Sequence, residues 1–245
     1  MLTLPRSVRL ACWANAWLSG HTSLDEADEH IRGDDAAHHV LGFEGEDEPM
    51  TMLFALGRLR RLGTQACLVA LPAPGDPLGL AGPRELNEAA LDVGEAVLCA
   101  GAGIGLVPDV VGAGVQWRVY AANVPPPLQF SDATTELSQT LLEVTHSLAG
   151  LDVAQWRPEV AEALASLRNV GRRSDDGLAP GYPSRADELA ARARKCLLVC
   201  ELALANDGGS TTAYEADTRR RSLRHLEYAA RRALVAACTP SQVAR

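Results

Sequence analysis

Three consecutive prolines, Pro125-Pro126-Pro127, divide this chain into two parts of different character. Such a run is stiff and extended, offers no backbone N–H to a ladder and cannot enter a helix interior. Extended apolar runs occur only before it. After it, apolar residues recur at helical spacing. The fold expected is therefore α+β or mixed α/β. Residues 1–124 hold N-terminal helices and a small sheet of about three strands, and residues 125–245 form an all-helical region packed on them.

Within the first part, residues 6–18 read as an amphipathic helix carrying Trp13 and Trp17. Ser23 can cap a second helix from Leu24 to about Ile31, broken by Gly33. Asp34 is then expected to cap a short helix reaching Val40, followed by a surface loop over residues 42–48. Met50 to Leu62 reads as helix, ended by Gly63. Gln65–Leu71 is nearly all apolar, the pattern of an interior strand covered on both faces. Pro83 suits a first helical position, and Leu86, Ala90, Val93 and Val97 continue in helical phase from it. Ile104–Val111 and Val115–Ala121 form a hairpin about Gly112-Ala113-Gly114, and Pro108 assigns the first run to an edge or a bulge.

Beyond the prolines, Ser131 can cap a helix with Leu137, Leu141, Val144 and Leu148 buried, closed by Gly150. Pro158 begins a helix with Val160, Leu164 and Leu167 in phase. Residues 171–182 read as a polar linker. Ser184 with Asp187 opens a long helix to about Ala205, stopped by Asn206-Asp207-Gly208-Gly209. On it Asp187, Arg194 and Glu201, seven apart, form one polar stripe expected to face water. A last helical region runs to about Cys238.

Charge and composition exclude several functions. Net charge is −8, which disfavours nucleic acid as a partner. No apolar run approaches the roughly 18 residues of a membrane span. Lys195 is the only lysine among 23 basic residues and lies mid-helix, which removes phosphate-loop and Schiff-base lysine chemistry. The six cysteines show no zinc or redox spacing and read as buried hydrophobes of a cytoplasmic protein. No cofactor motif is present: Gly101-Ala102-Gly103-Ile104-Gly105 precedes a strand, where a dinucleotide fingerprint precedes a helix. Charge is also unevenly placed. Asp25 to Glu48 carries ten carboxylates against Arg32, and Arg219 to Arg245 carries seven arginines against Glu227.

Three places could carry function. Residues 72–83 form a loop with four prolines, about twice the usual length between a strand and a helix. If the preceding strand is parallel, Gly75, Asp76, Gly79 and Arg84 lie at its carboxyl end beside a helix N-terminus, a position that favours anions. Arg84 opposes the helix dipole there; Asp76 pairing with it is the structural explanation, and a bound carboxylate or phosphate the functional one. Arg220, Arg221 and Arg224 offer a basic helix face to an acidic partner. Asp34, Asp35, His38 and His39 sit at four-residue helical spacings, but the pairs diverge and no third ligand is fixed, so no metal is assigned.

LACWANAWL (10–18), GDDAAHHV (33–40), LPAPGDPLGLAGP (71–83) and ELALANDGG (201–209) resemble segments of an uncharacterised protein family of high-GC Gram-positive bacteria. That resemblance implies a bacterial cytoplasmic protein and transfers no activity. The reading is a soluble binding or interaction protein with a protein partner or self-association, and the alternative is an enzyme or sensor for a small anion at residues 72–84.

Overall fold

The computed structural model describes residues 4–149, 177–205 and 213–239, with side chains at 148–149 excepted. The expected helix from Pro158, the linker over 171–176, Gly150 and the stop at 206–209 lie outside them. Two compact units are formed. The first comprises Thr3–Pro127, Leu178–Pro183 and Cys238–Arg245, and the second Met1–Leu2, Leu128–Gly177 and Ser184–Ala237.

The first unit opens with α1 (Arg6–Leu18) and α2 (Leu24–Arg32). Glu95 caps α1 from a distance, accepting from the Ser7 backbone N–H at 2.8 Å and the Ser7 hydroxyl at 2.7 Å. A carboxylate at a helix N-terminus also complements the dipole. Ser23 caps α2 as expected, its hydroxyl accepting from the Glu26 N–H at 3.1 Å. Then follow β1 (His38–Leu41), β2 (Met50–Thr51), α3 (Met52–Arg61), β3 (Ala66–Ala70), α4 (Arg84–Val93), β4 (Ala96–Ala100), β5 (Ile104–Val111) and β6 (Gly114–Ala121). The helix, strand and hairpin expected over Met50–Ala121 are present.

The sheet has six strands, not about three, in the order β2-β1-β6-β5-β4-β3. The short helix expected from Asp34 to Val40 is instead a turn and strand β1, which pairs parallel to β6 with His38 opposite Val115 and Val40 opposite Trp117. Pairing with a strand far along the chain overrides local helical spacing. Strand β4 was hidden by phase: Val97 continues the α4 stripe, yet Gly94 takes φ +84° and ends that helix. Beyond it AVLCA is a short, wholly apolar run that periodicity cannot distinguish from buried helix.

Strand β3 is also corrected. It lies at the sheet edge and pairs antiparallel to β4, with Cys67 opposite Cys99, so the premise of an interior parallel strand fails. Its outer edge is met by a side chain. Asn15 of α1 accepts from the Cys67 N–H at 2.7 Å and donates to the Cys67 carbonyl at 2.8 Å. One amide thus does the work of a neighbouring strand residue. Its second N–H reaches the Tyr182 hydroxyl at 3.3 Å, which donates to the Cys238 carbonyl at 3.1 Å. Since both Cys67 backbone groups point away from β4, Cys67 and Cys99 are a non-hydrogen-bonded pair, the kind whose side chains approach most closely.

Helix α4 packs on one sheet face through Leu86 and Ala90, against Ala70, Ala96, Leu98 and Val107. Helix α1 packs against β3, β4 and β5. Pro108 lies on β5 beyond Leu106, the last residue facing β4, so its missing N–H interrupts no ladder. The 72–83 loop folds onto itself: Ala73 and Asp76 exchange backbone bonds of 2.9 and 2.8 Å, and Leu78 is buried.

The second unit contains α5 (Phe130–Ala149), α6 (Ser184–Leu204) and α7 (Ala213–Ala237). Alanines 193, 229, 230 and 233 are buried among Leu137, Leu189, Leu223, Leu226 and Leu234. Small side chains let helix backbones approach, and polar ties fix the register. Arg192 donates to the Ser138 hydroxyl at 3.1 Å, and Arg232 to Glu136 at 3.1 Å. The expected water-facing stripe is broken at its centre, because Arg194 is 9 % exposed while Glu201 is exposed. A long aliphatic stem lets arginine lie within a helix seam.

Replacing Asn15 by Ala strands the N–H and carbonyl of Cys67 without partners, and should cost about 2–3 kcal/mol of stability. Urea unfolding of the full chain checks this; a loss below about 0.5 kcal/mol would mean that water satisfies that edge equally well.

Candidate functional site

The 72–84 region is a finished loop rather than an open cradle. The Gly82 N–H donates to Asn87 Oδ1 at 3.0 Å, and the Asn123 side chain and backbone donate to the Ala81 and Gly82 carbonyls at 3.2 and 2.9 Å. Gly79, at φ +87°, lies so close to Ala70 and the Val69 carbonyl that a Cβ would collide with them. Gly75 is exposed at the tip and Asp76 is half-buried. Arg84 is 83 % exposed at its side chain and pairs with Glu88, one turn on, at 2.6 Å. Glu85 stands in the same first turn, where its charge complements the helix dipole that Arg84 opposes.

The most constrained charges lie elsewhere, around Asp35. Its carboxylate receives Arg6 Nε and Nη2 at 3.0 and 2.7 Å, Arg9 Nη2 at 2.8 Å and His38 Nε2 at 3.0 Å. Arg9 also donates to the Arg32 carbonyl at 3.1 Å. Gly33, at φ +55°, leaves room for that guanidinium, which a Cβ would strike. Burial tends to raise the Asp35 carboxyl, but the hydrogen bonds from Arg6, His38 and Arg9 prevail and hold it far below the usual carboxylate range.

His38 has a side-chain exposure of 1 %. An indole N–H can only donate, so Trp117 Nε1 at 3.3 Å makes His38 Nδ1 the acceptor and Nε2 the protonated nitrogen facing Asp35. Burial pushes the ring's pKa down, against the pull of Asp35. Both ring nitrogens are engaged, so this Asp–His pair has none left to take a proton from a substrate. Its role is to tie α1, the turn after α2, β1 and β6 together. His39 alternates to the other sheet face. The expected side-by-side pairing of Asp34 with His38 and Asp35 with His39 is therefore absent, since strand replaces helix. Among the described residues no group of three His, Cys, Asp or Glu side chains is placed to hold a metal ion.

The six cysteines are buried and unbridged. Cys99 hydrogen-bonds with Cys67, and Cys238 with Cys12; those bonds and burial raise the Cys99 and Cys238 pKa values. Burial lifts Cys196 to about 11. Thiols so held do not ionise near neutrality and are poor nucleophiles.

Helix α7 leaves Arg220, Arg221 and Arg224 exposed, while Arg219 turns inward and donates to the Ala203 carbonyl at 2.7 Å. Arg221 pairs with Asp217 at 2.9 Å. Tyr214 is 74 % exposed on the same face, seven residues before Arg221 and ten before Arg224. That juxtaposition was not read from the sequence, although the spacing contains it. His146 is exposed, its Nδ1 donating to the Leu142 carbonyl at 2.8 Å. No described helix is long and apolar enough to cross a membrane.

Residues 7–133 match the family described as Rv1486c-like protein, N-terminal domain, and residues 131–235 match Rv1486c-like protein, C-terminal domain. Uncharacterized protein Rv1486c of Mycobacterium tuberculosis is 30 % identical over 197 residues, covering 70 % of this chain and 63 % of its own. Uncharacterized protein MAV321 of Mycobacterium avium is 28 % identical over 213 residues, covering 66 % of this chain and 69 % of its own. The chain thus spans less than two thirds of the tuberculosis relative's length. No solved structure matches it.

The Asp35 network predicts how stability depends on pH. Folded His38 and Asp35 both sit below their unfolded values of about 6.5 and 3.9, so the unfolded chain takes up each proton first. Stability should fall as pH drops below about 6.5, and again below about 3.9. Asp35→Asn should cost about 2–3 kcal/mol at neutral pH, less than a fully buried pair because Arg6 retains contact with water. It should also flatten the acid limb. Urea midpoints measured from neutral to acid pH check both, and a variant as acid-sensitive as the parent would remove Asp35 from this role.

Proposed function

The chain belongs to the Rv1486c-like protein family, and from that premise we propose that it acts as a cytoplasmic protein-interaction module, regulatory rather than catalytic. The observation that carries this reading is the outward face of α7, where Tyr214 stands in line with Arg221 and Arg224 beside Arg220. Aromatic and arginine side chains dominate the energetics of protein interfaces. The opposite face of the helix, with Leu223, Leu226 and Ala230, is buried, so these side chains point outward, with Arg221 held by Asp217 at 2.9 Å.

The partner is an acidic protein surface. Arginine forks pair bidentately with carboxylates, and Tyr214 adds apolar contact with a polar tip. Nucleic acid is the weaker match, because a chain of net charge −8 repels a polyanion at long range. The pairing of Arg84 with Glu88 and the closed 72–83 loop support this reading over a small-anion site. So does His38, whose ring nitrogens are both occupied.

Interferometry against immobilised polyglutamate tests the proposal. The full chain should bind at low ionic strength and release with added salt, and R220E/R221E/R224E should bind at least about tenfold more weakly. Tyr214→Ala should weaken binding without altering its salt dependence. Equal binding by parent and charge-reversed chains would eliminate α7 as the surface.

A further inference from the structure

In the first unit, α2 and α3 pack against each other and carry opposite charges that do not pair with each other among the described residues. Asp25, Glu26 and Glu29 of α2 are exposed, with Asp28 half-buried, and Glu26 is held by the Thr22 hydroxyl at 2.6 Å. Helix α3 carries Arg58, Arg60 and Arg61 and no acidic residue. Arg58 donates to the Glu44 carbonyl at 3.2 Å and pairs with Glu46 at 3.9 Å, and Arg60 lies over the Trp17 ring at 5.3 Å, so Arg61 is the arginine of α3 that the proposed contact uses. Among the described residues no ion pair joins α2 to α3, although the helices touch.

The apolar side of this surface is also exposed. Phe54 is 66 % and Leu62 42 % exposed. Phe54, Gly57 and Arg61 share one face of α3, at positions i, i+3 and i+7. Gly57 has no Cβ, and the nearest atom to where one would stand is Arg61 Nη1 at 3.8 Å, so another backbone can approach there. An acidic lobe, a basic lobe and a large apolar side chain therefore lie side by side.

We propose that the α2–α3 surface is the interface of a homodimer in which α2 of each copy lies on α3 of the other. Charge complementarity selects the occupant. A partner of one sign would match one lobe and be repelled by the other, whereas a second copy related by a two-fold axis matches both. Phe54 and Leu62 then supply the apolar contact, and Arg61 meets the carboxylates that α2 leaves unpaired. This surface belongs to the first unit and the α7 face to the second, so either assignment can fail without the other.

Sedimentation velocity of the full chain, over a range of micromolar concentrations at low and high salt, tests it. The expected result is a monomer–dimer equilibrium weakened by salt. Arg61→Glu puts a carboxylate into the basic lobe and Glu29→Arg an arginine into the acidic one, so each variant alone should dimerise at least about tenfold more weakly. Mixed together, the two should regain the dimer, because the carboxylate introduced on α3 then faces the arginine introduced on α2. Phe54→Ser should weaken dimerisation with its melting temperature unchanged, and Arg224→Glu should have no effect. A parent chain monomeric throughout overturns the proposal. So does a dimer indifferent to Arg61→Glu and Phe54→Ser, or a mixture that stays monomeric.

Discussion

The first unit depends on one side-chain amide. An edge strand in water exposes N–H and carbonyl groups that attract other strands, and β3 is such an edge. Asn15 closes it at Cys67 by satisfying both groups, and so determines where α1 sits along the sheet. Packing alone would let an apolar helix slide over Cys67, Val69 and Val97. Two directional bonds of 2.7 and 2.8 Å do not. The buried face of α1, with Val8, Ala11 and Cys12, then has a single register against the strands.

The Asp35 cluster is the complementary restraint at the other end of α1. Four hydrogen bonds converge on one carboxylate, from Arg6, Arg9 and His38. The arrangement resembles catalytic machinery in its parts and differs in its connections. A general base needs a ring nitrogen that substrate can reach, and the His38 nitrogens are taken by Asp35 and Trp117. Chemistry that looks available from residue types is consumed by folding. Tyr214 and the exposed α7 arginines, and Phe54 and Arg61, meet solvent on helix surfaces.

Features set by neighbours in sequence were legible before the structure. Ser23 as a cap, Gly63 as a stop and Gly112-Ala113-Gly114 as a turn follow from local backbone chemistry, and α1, α3, α6 and the β5–β6 hairpin form where their patterns indicated. Strand β1 was not legible, because HHVL becomes a strand only beside Val115–Arg118. Strand β4 was misassigned because Val97 fits two periods. The site residues divide in the same way. For Arg84 the sequence offered Asp76 or a bound anion as partner, and the side chain pairs with Glu88, its neighbour one helical turn on. Asp35 was weighed as a metal ligand and not assigned as one, and nothing in GDDAAHHV announces Arg6 and Arg9. Asn15 was a readable anomaly, a polar residue among Leu10, Ala11, Ala14 and Ala16, and its partner on β3 was not readable. The resemblance to an uncharacterised family of high-GC Gram-positive bacteria agrees with the mycobacterial relatives.

The chain's path through Tyr182 and Cys238 has a consequence for biosynthesis. Translation delivers α1 and all six strands long before either residue, yet the Asn15 amide finds its third partner in Tyr182, and the Tyr182 hydroxyl finds its own in Cys238. On the ribosome, the nascent sheet unit must wait with that polar network incomplete while the helices of the second unit are made. Completion of the first unit is therefore timed by the emergence of Cys238, and a chain halted before that residue leaves the Tyr182 hydroxyl without its carbonyl.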